Sequence, residues 1–190
     1  MSAQVHRFDV AALPATPWKN GGGSTREIAS WPPGAGFEGF DWRVSIASIA
    51  ASGPFSQFAG VDRIITLLEG EGVRLHGEDL DHRLGTPLAP FAFSGDARID
   101  CTLLGGACSD FNVMTRRGRL RAVLRVLHRA AELPAAPHGL LLAWRGHWRA
   151  GGEALSPGQG LWRSGATTGW ALDTADADAA LLAVQWRAAH

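Results

Sequence analysis

Lys19 is the one lysine in a chain of 190 residues whose other basic side chains are 17 arginines. It stands in Trp18-Lys19-Asn20-Gly21-Gly22-Gly23-Ser24-Thr25-Arg26-Glu27. Glycines allow close backbone approach and positive φ, and successive free N–H groups can form an anion nest. Lys19, Asn20, Thr25 and Arg26 add donors suited to a carboxylate or an amide. A nucleotide phosphate loop is excluded by residue order, because its lysine must follow the glycines and lead into a helix. Here the lysine comes first, and Trp31-Pro32-Pro33 ends the segment too early for a crossover helix. The competing reading is a glycine-rich β turn with Lys19 in solvent.

Asp110, Asn112 and Met114 alternate with Phe111 and Val113, so the two polar side chains share one strand face. They are pocket groups if that face is interior and solvent-facing residues if it is not. Arg116 and Arg117 can hold a carboxylate bidentately or serve as ordinary surface charges. Trp42-Arg43-Val44-Ser45 and Phe93-Ser94-Gly95-Asp96 each set a polar group among apolar ones. Trp42, Phe55, Phe58, Phe91 and Phe93 then read as core or as aromatic wall around a few convergent polar groups, the makeup of a small-molecule pocket. Cys108 has no histidine close in sequence, and His76 and His82 read as surface residues.

The elements that must position these groups are short strands. Trp42–Ile49 alternates, with Val44 and Ile46 on one face and Arg43, Ser45 and Ala47 on the other. Ile64–Leu68 and Val73–Leu75, joined by Glu69-Gly70-Glu71-Gly72, predict a hairpin. Phe91/Phe93 and Ile99/Cys101/Leu103 continue at period two. Gly118–Glu132 fits a helix or a strand equally. The spacing of strands and turns predicts an all-β sandwich or barrel with few helices. Gly70 with Gly146, and Ile99–Leu104 with Ala180–Gln185, recur in order and suggest an internal duplication.

Balanced charge, 18 basic against 18 acidic residues, argues against nucleic acid and anionic membrane as partners. No apolar run reaches the roughly 20 residues of a membrane span. The first residues do not read as a signal peptide. Two cysteines, Cys101 and Cys108, fit a reducing cytoplasm.

Leu68–Gly72 resembles the turn of cupin barrels. A metal cupin places histidines where this chain has Ser56 and Phe58, with Asp62 or Arg63 following, so neither metal nor cofactor is expected. Taken together, the segments beginning at Trp18, Trp42, Gly53, Phe93 and Asp110 resemble the HutD/Ves family from about Phe8 to Gly118. That resemblance implies an all-β bicupin: two jelly-roll-like barrels in one chain, residues 1–128 carrying the motifs and 129–190 a degenerate second module, with strands shared. It further implies a cytoplasmic, non-catalytic regulator that binds a histidine-degradation intermediate such as formiminoglutamate or formylglutamate.

The polar and aromatic motif positions expected to touch the ligand are Lys19, Asn20, Thr25, Glu27, Arg43, Ser45, Ser56, Phe58, Arg63, Asp96, Asp110, Asn112 and Arg116. Cations among them suit carboxylates, while Glu27, Asp96 or Asp110 can accept a ligand N–H. The alternative is a metal-independent cupin isomerase or hydrolase acting on a small carboxylic acid, with Glu27, Asp62 or Asp96 as general base. A third reading makes Trp144, Trp148, Trp162 and Trp170 a homodimer or partner surface, in competition with a place in the core.

Overall fold

The computed structural model describes residues 4–189. In chain order its strands are β1 (Val5–Asp9), β2 (Thr16–Pro17), β3 (Gly23–Trp31), β4 (Trp42–Ile49), β5 (Gly53–Phe55), β6 (Val61–Glu69), β7 (Val73–Gly77), β8 (Asp81–Leu84), β9 (Pro90–Ser94), β10 (Ile99–Leu103) and β11 (Cys108–Arg116). There follow β12 (Leu120–Leu127), β13 (Ala131–Leu133), β14 (His138–Arg145), β15 (Trp148–Ala150), β16 (Glu153–Leu155), β17 (Gln159–Ser164), β18 (Trp170–Asp173) and β19 (Ala180–Ala188). Helix is limited to a 3₁₀ turn at Val10–Ala12 and the four-residue α1 (Gly36–Gly39). No helix among the described residues is long and apolar enough to cross a membrane.

The chain divides into two compact units, Pro14–Leu120 and the pair Met1–Leu13 with Arg121–His190. The first unit has a six-stranded sheet, ordered β2-β3-β4-β11-β6-β9, and a four-stranded sheet, β5-β10-β7-β8. Ile49, Ile65, Leu67, Val73, Leu75, Ile99 and Cys101 form its core, drawn from both sheets. The second unit has sheets β1-β17-β14-β19-β12 and β13-β18-β15-β16. Leu141, Trp148, Leu161, Trp170, Leu172 and Leu181 are in its core. The sequence placed one boundary after residue 128. The compact units divide elsewhere because β1 pairs along β17 (Val5↔Arg163 to Asp9↔Gln159) and β12 lies beside β19. Gly118–Glu132, open between helix and strand, forms strand β12 and then β13.

Two expectations need correction. Glu69–Gly72 is not a hairpin turn, since β6 and β7 lie in different sheets. Gly70 and Gly72 both have φ of +88°, and a Cβ at Gly72 would stand 1.9 Å from the Leu84 carbonyl oxygen. Only glycine permits that corner. Nor does any sheet close on itself; each unit is a pair of open sheets around a core.

One strand order does recur. The run β4-β11-β6-β9 with β5-β10-β7-β8 is matched by β12-β19-β14-β17 with β13-β18-β15-β16. Gly70 and Gly146 hold the same place in it, both at positive φ. Ile99–Leu104, however, corresponds to β18 rather than to Ala180–Gln185, which matches β11. β18 and β19 are both rich in apolar residues and adjacent in sequence but lie in different sheets, which disguised the offset.

Candidate functional site

Strands β3, β4, β11 and β6 of the first unit run antiparallel in tight register, and the register builds the site. Thr25 pairs with Ala47, and Ala47 with Asp110; Glu27 pairs with Ser45, and Ser45 with Asn112. Arg43 pairs with Met114, and Met114 with Arg63. Side chains of one row point to one face, so the alternation read from β4 and β11 puts all of these on a single surface. With Lys19, Asn20, Phe55, Ser56, Phe58 and Phe37 they line a cavity of about 610 Å³.

Eleven of the thirteen expected residues line this cavity: Lys19, Asn20, Thr25, Glu27, Arg43, Ser45, Ser56, Phe58, Arg63, Asp110 and Asn112. Asp96 and Arg116 do not. Asp96 accepts from the Gly60 N–H at 2.7 Å and pairs with Arg117 at 2.7 Å. Those bonds, with one from Ser94, hold its carboxyl down to about 2. Arg116 donates to the Ala59 and Glu38 carbonyls and lies 5.2 Å over the Phe40 ring. Arg117 is likewise spent on Asp62 and Asp96. These groups fasten loops at the sheet margin, and sequence spacing cannot distinguish a loop clasp from a ligand clasp.

The glycine stretch is a tight turn rather than an anion nest. The Gly21 N–H donates to the Trp18 carbonyl, and the Gly22 N–H to Asn20 Oδ1 at 3.0 Å. A Cβ on Gly23 would stand 2.2 Å from the Ser48 carbonyl and 3.0 Å from the Trp18 ring. The glycines therefore let β3 and Trp18 approach β4, and they carry Lys19 and Asn20 to the cavity. Trp18 is fixed by donating Nε1–H to Thr25 Oγ1 at 2.8 Å. Lys19 is exposed, and no carboxylate among the described residues pairs with it.

Arg43 and Glu27 neutralise one another. Arg43 Nε donates to Glu27 Oε2 at 2.6 Å, and Ser30 donates to Glu27 Oε1 at 3.2 Å. Arg63 has no such partner. Its Nε donates to Asn112 Oδ1 at 3.4 Å and its Nη1 to the Ser56 carbonyl at 3.3 Å. Its guanidinium lies 5.0 to 5.6 Å from the rings of Phe55, Phe58 and Phe93, a cation–π cage. Burial lowers its pKa to about 10, with Asp110 opposing that shift and Arg43 adding to it.

Asp110 is 2% exposed, and its Oδ2 has no hydrogen-bond partner. Burial pushes its carboxyl up to about 7 against the pull of Arg63. A buried carboxylate without a donor is costly, so this group is the unresolved charge of the site. The two thiols carry no chemistry of this kind. Burial raises Cys101 to about 12 and Cys108 to about 11, which keeps both protonated and inert. No group of three or more potential metal ligands occurs among the described residues.

Pro17, Trp18, Phe37, Ala47, Phe55 and Met114 also line the cavity. Strand alternation already pointed to Ala47 and Met114, and Phe55 was legible as wall. Phe37 was not, because Pro32–Gly39 has no periodicity to orient it.

The second unit fills the same place. By register, its equivalents of Asp110, Asn112 and Arg63 are Leu181, Ala183 and Gly139. A Cβ on Gly139 would strike the Trp170 ring at 2.5 Å. Trp148 and Trp170 are 1% and 6% exposed, so they belong to the core and cannot form a partner surface.

The HutD family model matches residues 10–182. The chain belongs to the HutD family. Protein Ves of Citrobacter koseri is 42% identical over 163 residues, covering 85% of this chain and 84% of its own. The structure of HutD from Pseudomonas fluorescens, a formate condition, superposes with a TM-score of 0.87 at 32% identity, covering 98% of this chain and all of that one. A cupin 2 conserved barrel domain protein from Leptotrichia buccalis, at 8% identity and TM-score 0.62 over 95% of each chain, shares the fold alone. The chain is thus all-β with a cupin-like fold.

Proposed function

We propose that this HutD-family protein is a cytoplasmic, non-catalytic sensor of a small carboxylate of the formylglutamate or formiminoglutamate type. The observation that carries the reading is the charge of the cavity. Lys19, Arg43 and Arg63 face Glu27 and Asp110 in about 610 Å³, a volume in the range of small-molecule sites. Cations are in excess whether Asp110 is ionised or not, and an anionic ligand offsets that excess. The recurring strand order supports reading the units as two cupin modules, the second closed by Leu181, Ala183 and Trp170. A non-catalytic role is supported by the expected bases: Glu27 is bound to Arg43, and Asp62 and Asp96 to Arg117.

The test is titration of the protein with N-formyl-L-glutamate, followed by melting temperature. A ligand bound by the native state alone stabilises it by RT ln(1 + L/Kd), with L the free ligand concentration, and so raises the melting temperature. No shift at millimolar ligand refutes the reading.

A second reading, a metal-independent cupin enzyme, is favoured by Asp110 alone, a buried carboxyl near neutrality beside a cavity. Mass spectrometry of the same ligand after prolonged incubation separates the two. Conversion by the wild type that is absent in Asp110→Asn supports the enzyme.

A further inference from the structure

The two units share a strand order, yet one edge differs. β4 lies between β11 and β3, and β3 pairs along it from Gly23↔Ile49 to Trp31↔Trp42. Its counterpart β12 ends a sheet: β19 flanks one side, and no strand pairs with the other among the described residues. Arg117, Gly118 and Arg119 alone separate β11 from β12, so no segment is left between them for a counterpart of β3.

β4 and β12 are eight residues each. Ile49 and Leu127, at their ends, both pack into the core of their own unit. Aligned on that pair, Arg43, Ser45 and Ala47 correspond to Arg121, Val123 and Arg125. The first three are buried, at 7%, 1% and 8% exposure. The second three are exposed, Val123 at 41%. An apolar side chain thus stands bare between two cations on a strand whose outer N–H and C=O groups are free to pair.

Charge decides what fits there. From Arg116 to Ala131 the chain has six arginines and no carboxylate. Arg117 and Arg119 are paired with Asp62, Asp96 and Asp41. Arg121, Arg125 and Arg129 meet no carboxylate among the described residues. A second copy fits poorly, because two β12 strands paired antiparallel about Val123 set Arg121 against Arg125, and like charges opposite one another destabilise a sheet. The same arginines attract a strand that carries carboxylates at alternate positions.

We propose that the free edge of β12 docks an extended acidic segment of a partner protein, paired as β3 pairs with β4, with carboxylates at i and i+4 on Arg121 and Arg125 and an apolar residue at i+2 on Val123. In such strand addition the backbone hydrogen bonds give adhesion and the alternate side chains give selection. No residue of β12 lines the cavity, so the inference does not depend on the ligand read there.

The experiment uses the full chain and a fluorescein-labelled peptide, Thr-Glu-Thr-Val-Thr-Glu-Thr, followed by anisotropy, with hydrogen exchange of residues 120–127 as the local readout. The peptide should bind and slow exchange along β12. The same peptide with its backbone amides methylated, or with lysine in place of glutamate, should not bind. Arg121→Glu combined with Arg125→Glu should weaken the acidic peptide roughly 10- to 100-fold and admit the lysine peptide. Both positions are exposed, so the melting temperature should hold; should it fall, Arg121→Gln with Arg125→Gln repeats the test with a smaller loss.

No binding to the wild type, equal binding of the methylated peptide, or an affinity unchanged in the variants overturns the proposal. So does a wild-type dimer protected along β12, which assigns the edge to a second copy. A single-stranded oligonucleotide that binds more tightly than the peptide and is lost in the same variants overturns it in favour of nucleic acid.

Discussion

Replacing Asp110 by asparagine removes a charge that the unliganded fold holds at a cost, and the cost depends on pH in a way that can be worked out. The folded carboxyl titrates at about 7, against about 3.9 in an unfolded chain. Between those values the folded protein binds more protons than the unfolded one, so stability falls as pH rises through the window and levels off above 7. The full loss is roughly 4 kcal/mol, of which roughly 1.5 kcal/mol is in place by pH 5. Asparagine does not titrate. It also removes the charge next to Arg63, but that penalty is constant well below the Arg63 pKa of about 10. The stability of Asp110→Asn relative to wild type should therefore improve by roughly 2.5 kcal/mol between pH 5 and pH 8. Urea denaturation of both proteins across this range measures the difference and cancels every other titrating group. A difference independent of pH would refute the claim that Asp110 is buried without a partner.

Other substitutions separate ligand contacts from structural ones. Lys19→Ala should weaken binding of N-formyl-L-glutamate and leave the melting temperature unchanged, because Lys19 is exposed and carries no ion pair; calorimetry and thermal denaturation read the two effects. Glu27→Gln should lower stability by about 1 kcal/mol by leaving the buried Arg43 with only a neutral acceptor, seen in urea denaturation. Asp96→Ala should leave ligand affinity intact and lower the melting temperature. Its carboxyl sits at about 2, so its contribution is present above about pH 4 and is lost as pH falls toward 2. Thermal melts at pH 7 and pH 3 should show that difference shrinking.

Much of the site was legible because strand periodicity is a strong signal. Arg43, Ser45 and Ala47, and Asp110, Asn112 and Met114, are two alternating runs whose polar members had to share a face, and they do. What alternation cannot give is the destination of a turn. Glu69–Gly72 has the composition of a hairpin yet crosses between sheets, because Gly72 is pressed against the Leu84 carbonyl from another strand. The same limit explains Asp96 and Arg116, which are polar residues at strand ends. Whether they face the cavity or clasp Gly60 and Ala59 depends on loops distant in sequence. Phe37 enters the cavity from a segment without periodicity, and its cation–π contact with Arg43 at 4.8 Å is purely tertiary. The offset in the internal repeat arose because the apolar β19 could stand for β18 as the counterpart of β10 until their sheets were known.

The central claim is that the cavity of the Pro14–Leu120 unit holds a small carboxylate, and a crystal structure of the protein with N-formyl-L-glutamate tests it most directly. Ligand should lie in the cavity beside Lys19 and Arg63, with a carboxylate on the Arg63 guanidinium. A cavity that stays free of ligand at saturating concentration, or a ligand bound elsewhere on the chain, would contradict it.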